Sequence, residues 1–431
     1  MLQRQKLSAI VVATIVTAHA FAPPAAAHNP NIVVQWNEAL QAQIVGTANG
    51  LHIRSLPMMH IAMFDAINSI EERYTPYLVR VKGAHGASPE AAAAAAARDV
   101  LGALYPTQQA VFDDLLASQL AGISEPLARR GVAVGQAVAK AVLEWRQDDG
   151  WPATQAAVNA PDPTYVLPPF PGLWQPAPPA NSGATLTFYP QVRPFAMLTA
   201  TQFLPPPPPT LTSARYAADF NEVKTLGSVS STDRPADMTL WAQVHAGVNT
   251  QIGFFHVWNR VAGDVTERQG LSLIETARTF VLLTVALHDG LQTSFTSKFA
   301  YRLWRPVTAI RHANEDLNPA TDQDDEWLPL LPTPPYPSYA GNAACLSAAS
   351  ARALKIALGR DDIPFTVTYP RTMGLATETR TYAGFWDLAQ QEADSRIFGG
   401  LHYRFDNEAS QAACVKVADF AAEHFMLPRD R

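Results

Sequence analysis

Four side chains in the carboxyl-terminal part of the sequence have the chemistry to hold a tetrahedral oxyanion. Two of them frame the run Lys298-Phe-Ala-Tyr-Arg-Leu-Trp-Arg305, and the other two belong to the run Ser395-Arg396-Ile-Phe-Gly-Gly-Leu-His402. An arginine offers a planar fork for two oxygens, and a lysine offers a point charge. An imidazole that keeps one nitrogen free can attack phosphorus or ligate a metal. These residue types predict a site for phosphate or vanadate.

The spacing of these residues indicates how helices would bring them together. Lys298 and Arg305 are seven residues, or two helical turns, apart, so both would return to one face of a helix. Pro306 follows directly, so the helix is expected to end, kink or restart there. Asp406 lies four residues after His402, and one helical turn would let its carboxylate orient the imidazole. The alternatives for Asp406 are to cap that helix or to pair with Arg404.

The two runs resemble the signatures of the type-2 phosphatidic acid phosphatase superfamily, which includes vanadium-dependent haloperoxidases and bacterial acid phosphatases. The first motif of that superfamily, Lys-x6-Arg-Pro, is matched at Lys298 to Pro306, and the third, Ser-Arg-x5-His-x3-Asp, at Ser395 to Asp406. The resemblance covers essentially everything after residue 27. Two further stretches are similar to the bacterial haloperoxidase-like branch: Met59-His-Ile-Ala-Met-Phe-Asp-Ala-Ile-Asn68 and Trp304-Arg-Pro-Val-Thr-Ala-Ile-Arg311.

The resemblance implies an all-α fold, a large helical bundle of the vanadium haloperoxidase and acid phosphatase type with long proline-rich connecting loops. It implies a vanadate cofactor, with phosphate as the alternative occupant, and His402 as the ligand of vanadium. Three cations would hold the oxygens, with a serine and an orienting carboxylate beside them: Lys298, Arg305, Ser395, Arg396 and Asp406. Lys298 would also polarise bound peroxide.

The middle motif of the superfamily, Pro-Ser-Gly-His, is degenerate in this chain. By register with the Thr-Pro-Pro lead-in it falls on residues 340–343, where Gly341 replaces the serine and Ala343 replaces the histidine. The nearby Ser338 is not the motif serine because no Gly-His follows it. In relatives that histidine is the acid–base partner, and a missing general acid costs about 10²–10⁴-fold in rate. Anion binding is expected to survive, helped by the N–H groups of Gly341 and Asn342 at the start of a helix.

Three other histidines are candidates to replace the missing one, namely His60, His288 and His312. The sequence does not distinguish among them. Asp289 is a candidate partner for one of the arginines. His60 and Asp65 are five residues apart, so they do not share a helical face closely, and we interpret them as structural.

The composition limits the classes of function. The chain has 431 residues, enough for one large domain or two, and charged residues make up 16% of it with a net charge of −6. The sequence has no basic tract and no Cys/His cluster with zinc spacing, so we expect no nucleic-acid partner. Cys345 and Cys414 are interpreted as separate buried thiols, with a disulfide as the alternative that an oxidising compartment would permit.

Residues 1–27 have the pattern of a secretory signal peptide. Arg4 and Lys6 precede an apolar run, and Ala25-Ala26-Ala27 offers small residues for cleavage. We therefore expect an exported protein, periplasmic or extracellular, with no membrane span once the signal is removed. An uncleaved anchor is the alternative.

The remaining residues, 28–431, are expected to form a single helical domain. A proline-rich stretch at 150–212, with an unbroken run at Pro205–Pro209, is expected to wrap between an amino-terminal half (28–150) and a carboxyl-terminal half (213–431) that carries the site. Strand-like alternation is scarce. Helices are predicted at 31–46, 57–70, 88–97, 108–121, 125–146, 214–226, 237–261, 271–303, 343–358, 382–398 and 407–425.

By resemblance, the predicted activity is vanadate-dependent oxidation of halide by hydrogen peroxide, with an organic acceptor. The first alternative is hydrolysis of a phosphate ester (a phosphomonoesterase) with His402 as the nucleophile. The second is a catalytically silent oxyanion-binding protein, which the losses at Gly341 and Ala343 favour. The halide, the organic substrate and the oligomeric state stay open, with a homodimer among the options.

Overall fold

Helices make up almost all of the regular structure in this computed structural model, which describes residues 31–44, 51–251, 253–369 and 375–429. The predicted signal peptide, residues 1–27, lies outside the described residues. The all-α prediction is confirmed. The α-helices of the described part are α1 Ile32–Ile44, α2 Leu51–Glu71, α3 Pro89–Leu104, α4 Gln109–Leu120, α5 Glu125–Trp145, α6 Gln155–Asn159, α7 Ala214–Leu226, α8 Ala236–Gln251, α9 Gly253–Arg268, α10 Leu273–Tyr301, α11 Pro306–Arg311, α12 Asn342–Leu358, α13 Phe385–Phe398 and α14 Arg404–His424.

Several element boundaries differ from the predicted ones. Helix α2 begins at Leu51 and continues through Pro57, where the prediction placed its start, because the flanking apolar residues are buried and packing offsets the lost hydrogen bond. The predicted helix 237–261 is two helices, and the second begins at Gly253, whose φ of +72° favours glycine. An antiparallel hairpin of β1 Phe365–Tyr369 and β2 Glu378–Tyr382 was not predicted.

Small side chains let the helices of the amino-terminal half approach closely. The run Ala91–Ala97 of α3 is buried, and Ser88 caps that helix through a 3.1 Å bond from the Ala91 N–H to its hydroxyl. Gly135 of α5 faces this run so closely that a Cβ would lie 2.3 Å from the carbonyl oxygen of Ala92. The alanine run therefore serves both as a strong helix former and as a surface for close packing.

The carboxyl-terminal half is built around α10, whose residues from Ile274 to Lys298 are almost all buried. Helices α12 and α14 pack against it and are joined by a disulfide between Cys345 and Cys414. The interpretation of two separate thiols is therefore wrong. Both sulfurs lie beside Gly290 of α10, where a Cβ would be 3.2 Å from the Cys345 sulfur, so the absent side chain makes room for the bond.

The proline-rich stretch between α6 and α7 packs on the helices. Tyr189 in this stretch is buried and stacks on Phe295 of α10 with ring centroids 5.3 Å apart. The Tyr339 hydroxyl donates a 2.6 Å hydrogen bond to the carbonyl oxygen of Pro206 in the proline run. The described residues from Asn31 onward form one unit. No helix among them combines the length and apolar character that a membrane span requires.

Two buried aspartates hold loops to the central helices. The Asp65 carboxylate in α2 accepts hydrogen bonds of 2.7–2.8 Å from the backbone N–H groups of residues 77–79. The Asp289 carboxylate in α10 accepts bonds of 2.7–3.0 Å from residues 195–197 and lies 2.9 Å from Nδ1 of His288. Asp289 thus anchors the proline-rich stretch, and among the described residues its hydrogen bonds go to these groups and not to an arginine of the site, for which it was a candidate partner.

Replacing Asp289 by alanine is expected to lower the free energy of unfolding by roughly 3–5 kcal/mol, because three buried N–H donors and His288 lose their acceptor. Chemical denaturation measures the change. The matched control is Asp264→Ala, whose carboxylate forms an exposed pair with Arg268 and should cost less than about 1 kcal/mol. Equal losses in the two variants would contradict the anchoring role.

Candidate oxyanion site

The predicted anion-binding side chains converge where several helix ends meet. Lys298 lies in the last turn of α10, Arg305 directly precedes α11, Arg396 lies in the last turn of α13, and His402 lies two residues before α14. All four are buried. The site is therefore assembled from residues at or next to the ends of different helices, where their side chains can point to one place.

Lys298 and Arg305 do not lie on one face of a helix, so that part of the prediction is wrong. Helix α10 ends at Tyr301, Arg302 takes a left-handed φ of 56°, and a new helix begins at Pro306. The break at Pro306 was predicted, and it is this break that turns Arg305 back toward Lys298.

His402 also lies outside a helix, in the turn that follows Arg396. The chain bends there at Gly400, which has a φ of +76°, and a Cβ would lie 2.6 Å from the carbonyl oxygen of Gly227. Only glycine fits this conformation and this approach. Asp406 lies in the first turn of α14, so the helix end rather than a shared helical face brings it to His402.

Two of the cations are anchored to carbonyl groups of the segment Tyr336–Ser338. Lys298 Nζ donates to the carbonyl oxygens of Pro337, at 3.0 Å, and Ser338, at 2.7 Å. Arg305 Nε donates to the carbonyl oxygen of Tyr336 at 2.7 Å. The ring of Tyr336 lies against both, with its centroid 5.2 Å from Lys298 Nζ and 5.0 Å from Arg305 Cζ. Burial and the neighbouring Arg305 lower the pKa of Lys298 well below its usual range.

A carboxylate and a cation fix the state of the His402 ring. Its Nδ1 lies 2.9 Å from Oδ2 of Asp406, and its Nε2 lies 3.0 Å from a terminal nitrogen of Arg305. Because arginine only donates, Nε2 is the acceptor and Nδ1 carries the proton. Burial, reinforced by the charges of the three cations, lowers the pKa of His402 well below its usual range. The imidazole is therefore neutral, with its lone pair on the side of the cations.

Ser338, which is not the motif serine, is nevertheless part of the site. Its hydroxyl donates to Oδ2 of Asp406 at 2.5 Å and lies 3.5 Å from Nδ1 of His402. The same Asp406 oxygen accepts the N–H of Tyr403 at 3.3 Å, so the carboxylate caps α14 while it contacts the imidazole. Burial raises the pKa of Asp406 to about 6. No motif spacing contains Ser338, and only its place on the segment that holds Lys298 could have indicated it.

Two buried guanidinium nitrogens of the site have no hydrogen-bond partner among the described residues, one terminal nitrogen of Arg305 and one of Arg396. Arg396 lies with its Cζ 5.9 Å from the centroid of the Phe254 ring, and burial lowers its pKa to about 10. In the described part of the chain no carboxylate oxygen lies within 4.0 Å of its guanidinium nitrogens. Unpartnered buried donors are costly, so these two fit an anionic ligand.

The middle-motif positions lie at the start of α12. The N–H of Gly341 donates to the carbonyl oxygen of Asp406 at 3.1 Å, so the expectation that it points at the anion is wrong. A Cβ on Gly341 would lie 2.6 Å from Oδ1 of Asn407, whose amide nitrogen is held at 2.8 Å by the carbonyl oxygen of Ala393. Asn407 therefore fills the space of a serine side chain. Ala343 is buried in the first turn of the helix.

Two other sets of predicted residues have partners elsewhere. The Ser395 hydroxyl donates to the carbonyl oxygen of Glu392 within α13 at 2.6 Å. Its proton is therefore not directed at the oxyanion, which the resemblance implied that it would help to hold. Within the described residues, none of the three candidate replacement histidines hydrogen-bonds to the site. Their polar partners are Asn37 for His60, Asp289 for His288 and Glu315 for His312.

A cavity of about 190 Å³ adjoins the site. Tyr336, which contacts both anchored cations, forms part of its wall, and Asn342 in the first turn of α12 forms another part. The rest is mostly apolar and includes Leu186, Phe254, Leu291, Phe295 and Leu346. The cavity suits a small uncharged molecule.

Comparison with known proteins finds a domain family whose sequence model covers the residues of this site. The sequence model of the VCPO second helical-bundle domain matches residues 278–430, which contain the three cations and His402. Over 178 residues the chain is 25% identical to vanadium chloroperoxidase of Curvularia inaequalis, a match that spans 31% of this chain and 29% of that protein.

Two solved structures share the fold over nearly their whole length. The chain matches a bacterial vanadium-dependent iodoperoxidase with a TM-score of 0.75 and 21% identity, covering 93% of this chain and 97% of that one. It matches a holo-type bacterial vanadium-dependent chloroperoxidase with a TM-score of 0.68 and 18% identity, covering 88% and 93%. The TM-scores show likeness of fold, and at identities this low they show the fold alone. Taken with the domain match over residues 278–430 and the sequence relative, they support the superfamily of vanadium-dependent haloperoxidases that the two sequence motifs resemble.

Proposed function

We propose that this chain is a vanadate-dependent enzyme that oxidises halide with hydrogen peroxide. The observation that carries the proposal is the state of His402, a neutral imidazole whose Nδ1–H is held by Asp406 and whose Nε2 lone pair is directed at a buried cation. A metal ligand must offer such a lone pair, and a carboxylate on the other nitrogen fixes the tautomer and raises the basicity of the ligand.

The donor set fits a vanadate group. His402 would ligate the vanadium, while Lys298, Arg305 and Arg396 would hold the oxygens, and the two arginines each have a buried nitrogen without another partner. Bound vanadate supplies Lewis-acid chemistry that activates an oxygen ligand without a change in its own oxidation state. Phosphate has the same tetrahedral shape and is the alternative occupant.

The residues around the group have distinct tasks in this proposal. Two of the three N–H groups of Lys298 donate to carbonyl oxygens, so the third would be available to polarise peroxide. Asp406 keeps the proton on His402, and burial of the cluster strengthens each of these electrostatic contacts. The adjoining cavity would receive an organic acceptor. The proposal includes export, with residues 1–27 as the signal, which fractionation of producing cells tests.

A second candidate, a silent oxyanion-binding protein, is favoured by one observation. At the middle motif no side chain of residues 340–343 can act as a general acid. The Gly341 N–H donates to the backbone carbonyl oxygen of Asp406, and Asn407 occupies the place of the serine. Binding needs only the cations and His402, so it does not depend on that motif.

The test is reconstitution of the wild-type protein with orthovanadate, followed by assays of iodide and bromide oxidation. We expect oxidation only when vanadate, hydrogen peroxide and halide are present together. Hydrolysis of p-nitrophenyl phosphate that vanadate inhibits would instead establish the phosphatase alternative. Vanadate binding with neither activity would establish the silent protein.

A further inference from the structure

Glu392 of α13 is a buried carboxyl group that the proposed function does not use. Its side chain is fully buried, and Oε2 accepts hydrogen bonds from the indole N–H of Trp258, at 2.9 Å, and from the Ser347 hydroxyl. Oε1 has no hydrogen-bond partner among the described residues. A carboxyl group in such a place is costly to ionise, so Glu392 is expected to keep its proton at neutral pH.

The position of Glu392 relates it to the oxyanion site from two sides. Arg396 lies four residues further along α13, so the two side chains share one helical face. Ser347, which donates to Glu392, lies four residues after Ala343 on α12. Glu392 therefore lies one helical turn before Arg396 on α13, and it contacts the residue that lies one helical turn after the position of the lost histidine on α12. The negative charge of ionised Glu392 would raise the pKa of Arg396, which burial lowers.

The other groups around Glu392 keep their charge near neutral pH. Trp258 and Ser347, from α9 and α12, do not titrate there. Burial raises the pKa of Tyr369 and of Tyr382 above the usual range, and it lowers the pKa of His245 to about 3. Arg380 of β2 is a further neighbour of this group, and Arg396 stays cationic near neutral pH because burial lowers its pKa only to about 10. Burial raises the pKa of Glu392 itself to about 8, so among these groups it is the one that changes charge just above neutrality.

We propose that Glu392 is a positioning residue whose proton is linked to occupancy of the oxyanion site. With its proton on, Glu392 leaves the Arg396 guanidinium free for an anion. With its proton off, the carboxylate competes for Arg396 and adds negative charge behind the anion. By reciprocity, an anion in the site makes Glu392 harder to ionise. The inference rests on the proposed function only in that it takes the same four residues as the anion site.

The experiment is a calorimetric titration with molybdate, a tetrahedral dianion that keeps its charge from about pH 6 to about pH 9. Wild type and Glu392→Gln are compared across that range. We expect the affinity of wild type to fall about tenfold more than that of E392Q as the pH rises from about 7 to about 9. Titration of Lys298 and His402 affects both proteins alike and cancels in the comparison. Parallel curves would overturn the proposal.

Ser347→Ala provides a second variant that keeps the carboxyl group. The Ser347 hydroxyl bond favours the ionised form of Glu392, so its removal should raise the pKa of Glu392 and move the fall in affinity to higher pH. An unmoved fall contradicts the linkage, even if E392Q does not fold. Absence of molybdate binding by folded wild type at every pH would overturn the oxyanion site and the proposed function with it, whereas binding with parallel curves overturns only the role of Glu392.

Discussion

Replacement of His402 by alanine is expected to reduce vanadate affinity at least about 100-fold, because it removes the neutral imidazole whose Nε2 lone pair lies beside Arg305 and is the proposed ligand of vanadium. Calorimetric titration of the metal-free protein with orthovanadate measures the change. Halide oxidation should be lost in parallel. Lys298 and Arg305 keep their carbonyl partners in this variant, so weak electrostatic binding of the anion is expected to persist.

The matched control is His312→Ala. His312 is exposed, and within the described part of the chain its side chain pairs with the exposed Glu315. Its loss should therefore leave vanadate binding unchanged. Unfolding of each variant must be measured as well, since His402 is buried and hydrogen-bonded. If folded His402→Ala bound vanadate as tightly as wild type, His402 would not be the ligand and the proposed function would fail.

The composition of the site was predictable from the sequence because its residues belong to two contiguous motifs. The way they converge was not. Two helical turns between Lys298 and Arg305 suggested a common face, whereas the left-handed Arg302 and the restart at Pro306 form a turn. Helical periodicity describes only residues within one helix, and a break that returns two side chains to one place leaves the same spacing in the sequence.

Contacts between distant segments account for the other differences. Ser338 reaches Asp406 only because the segment before α12 crosses the site, and Cys345 meets Cys414 only because two helices pack on Gly290. A single sequence carries no signal for such pairs. Burial of Glu392 is likewise a tertiary fact, since a glutamate in a helix is most often exposed.

The same limit applies to the degenerate middle motif. Register with the lead-in identified Gly341 and Ala343 as replacements, and the structure places both at the start of α12. What the register could not show is that Asn407, from α14, occupies the space that a serine would need. The space left at Gly341 is thus filled by a neighbour, whereas among the described residues no histidine that hydrogen-bonds to the site replaces the one lost at Ala343.

Restoring the histidine by Ala343→His is therefore expected to raise the rate of halide oxidation, or of ester hydrolysis if that is the activity, by about 10²–10⁴-fold. The new imidazole would enter the first turn of α12, on the helical face shared with Ser347, one turn from the Glu392 carboxyl group. Steady-state turnover at saturating vanadate measures the gain. The affinity for vanadate should change much less, because the three cations and His402 are untouched.

Gly341→Ser is the matched comparison at the other degenerate position. Its Cβ would meet Oδ1 of Asn407, which the Ala393 carbonyl holds in place, so we expect a loss of about 1–3 kcal/mol in the free energy of unfolding and no gain in rate. A gain at Ala343→His without one at Gly341→Ser would mean that the chain lacks only a proton donor. Equal, small effects in two folded variants would mean that the start of α12 no longer faces the anion, and the silent oxyanion-binding protein would then be the better description.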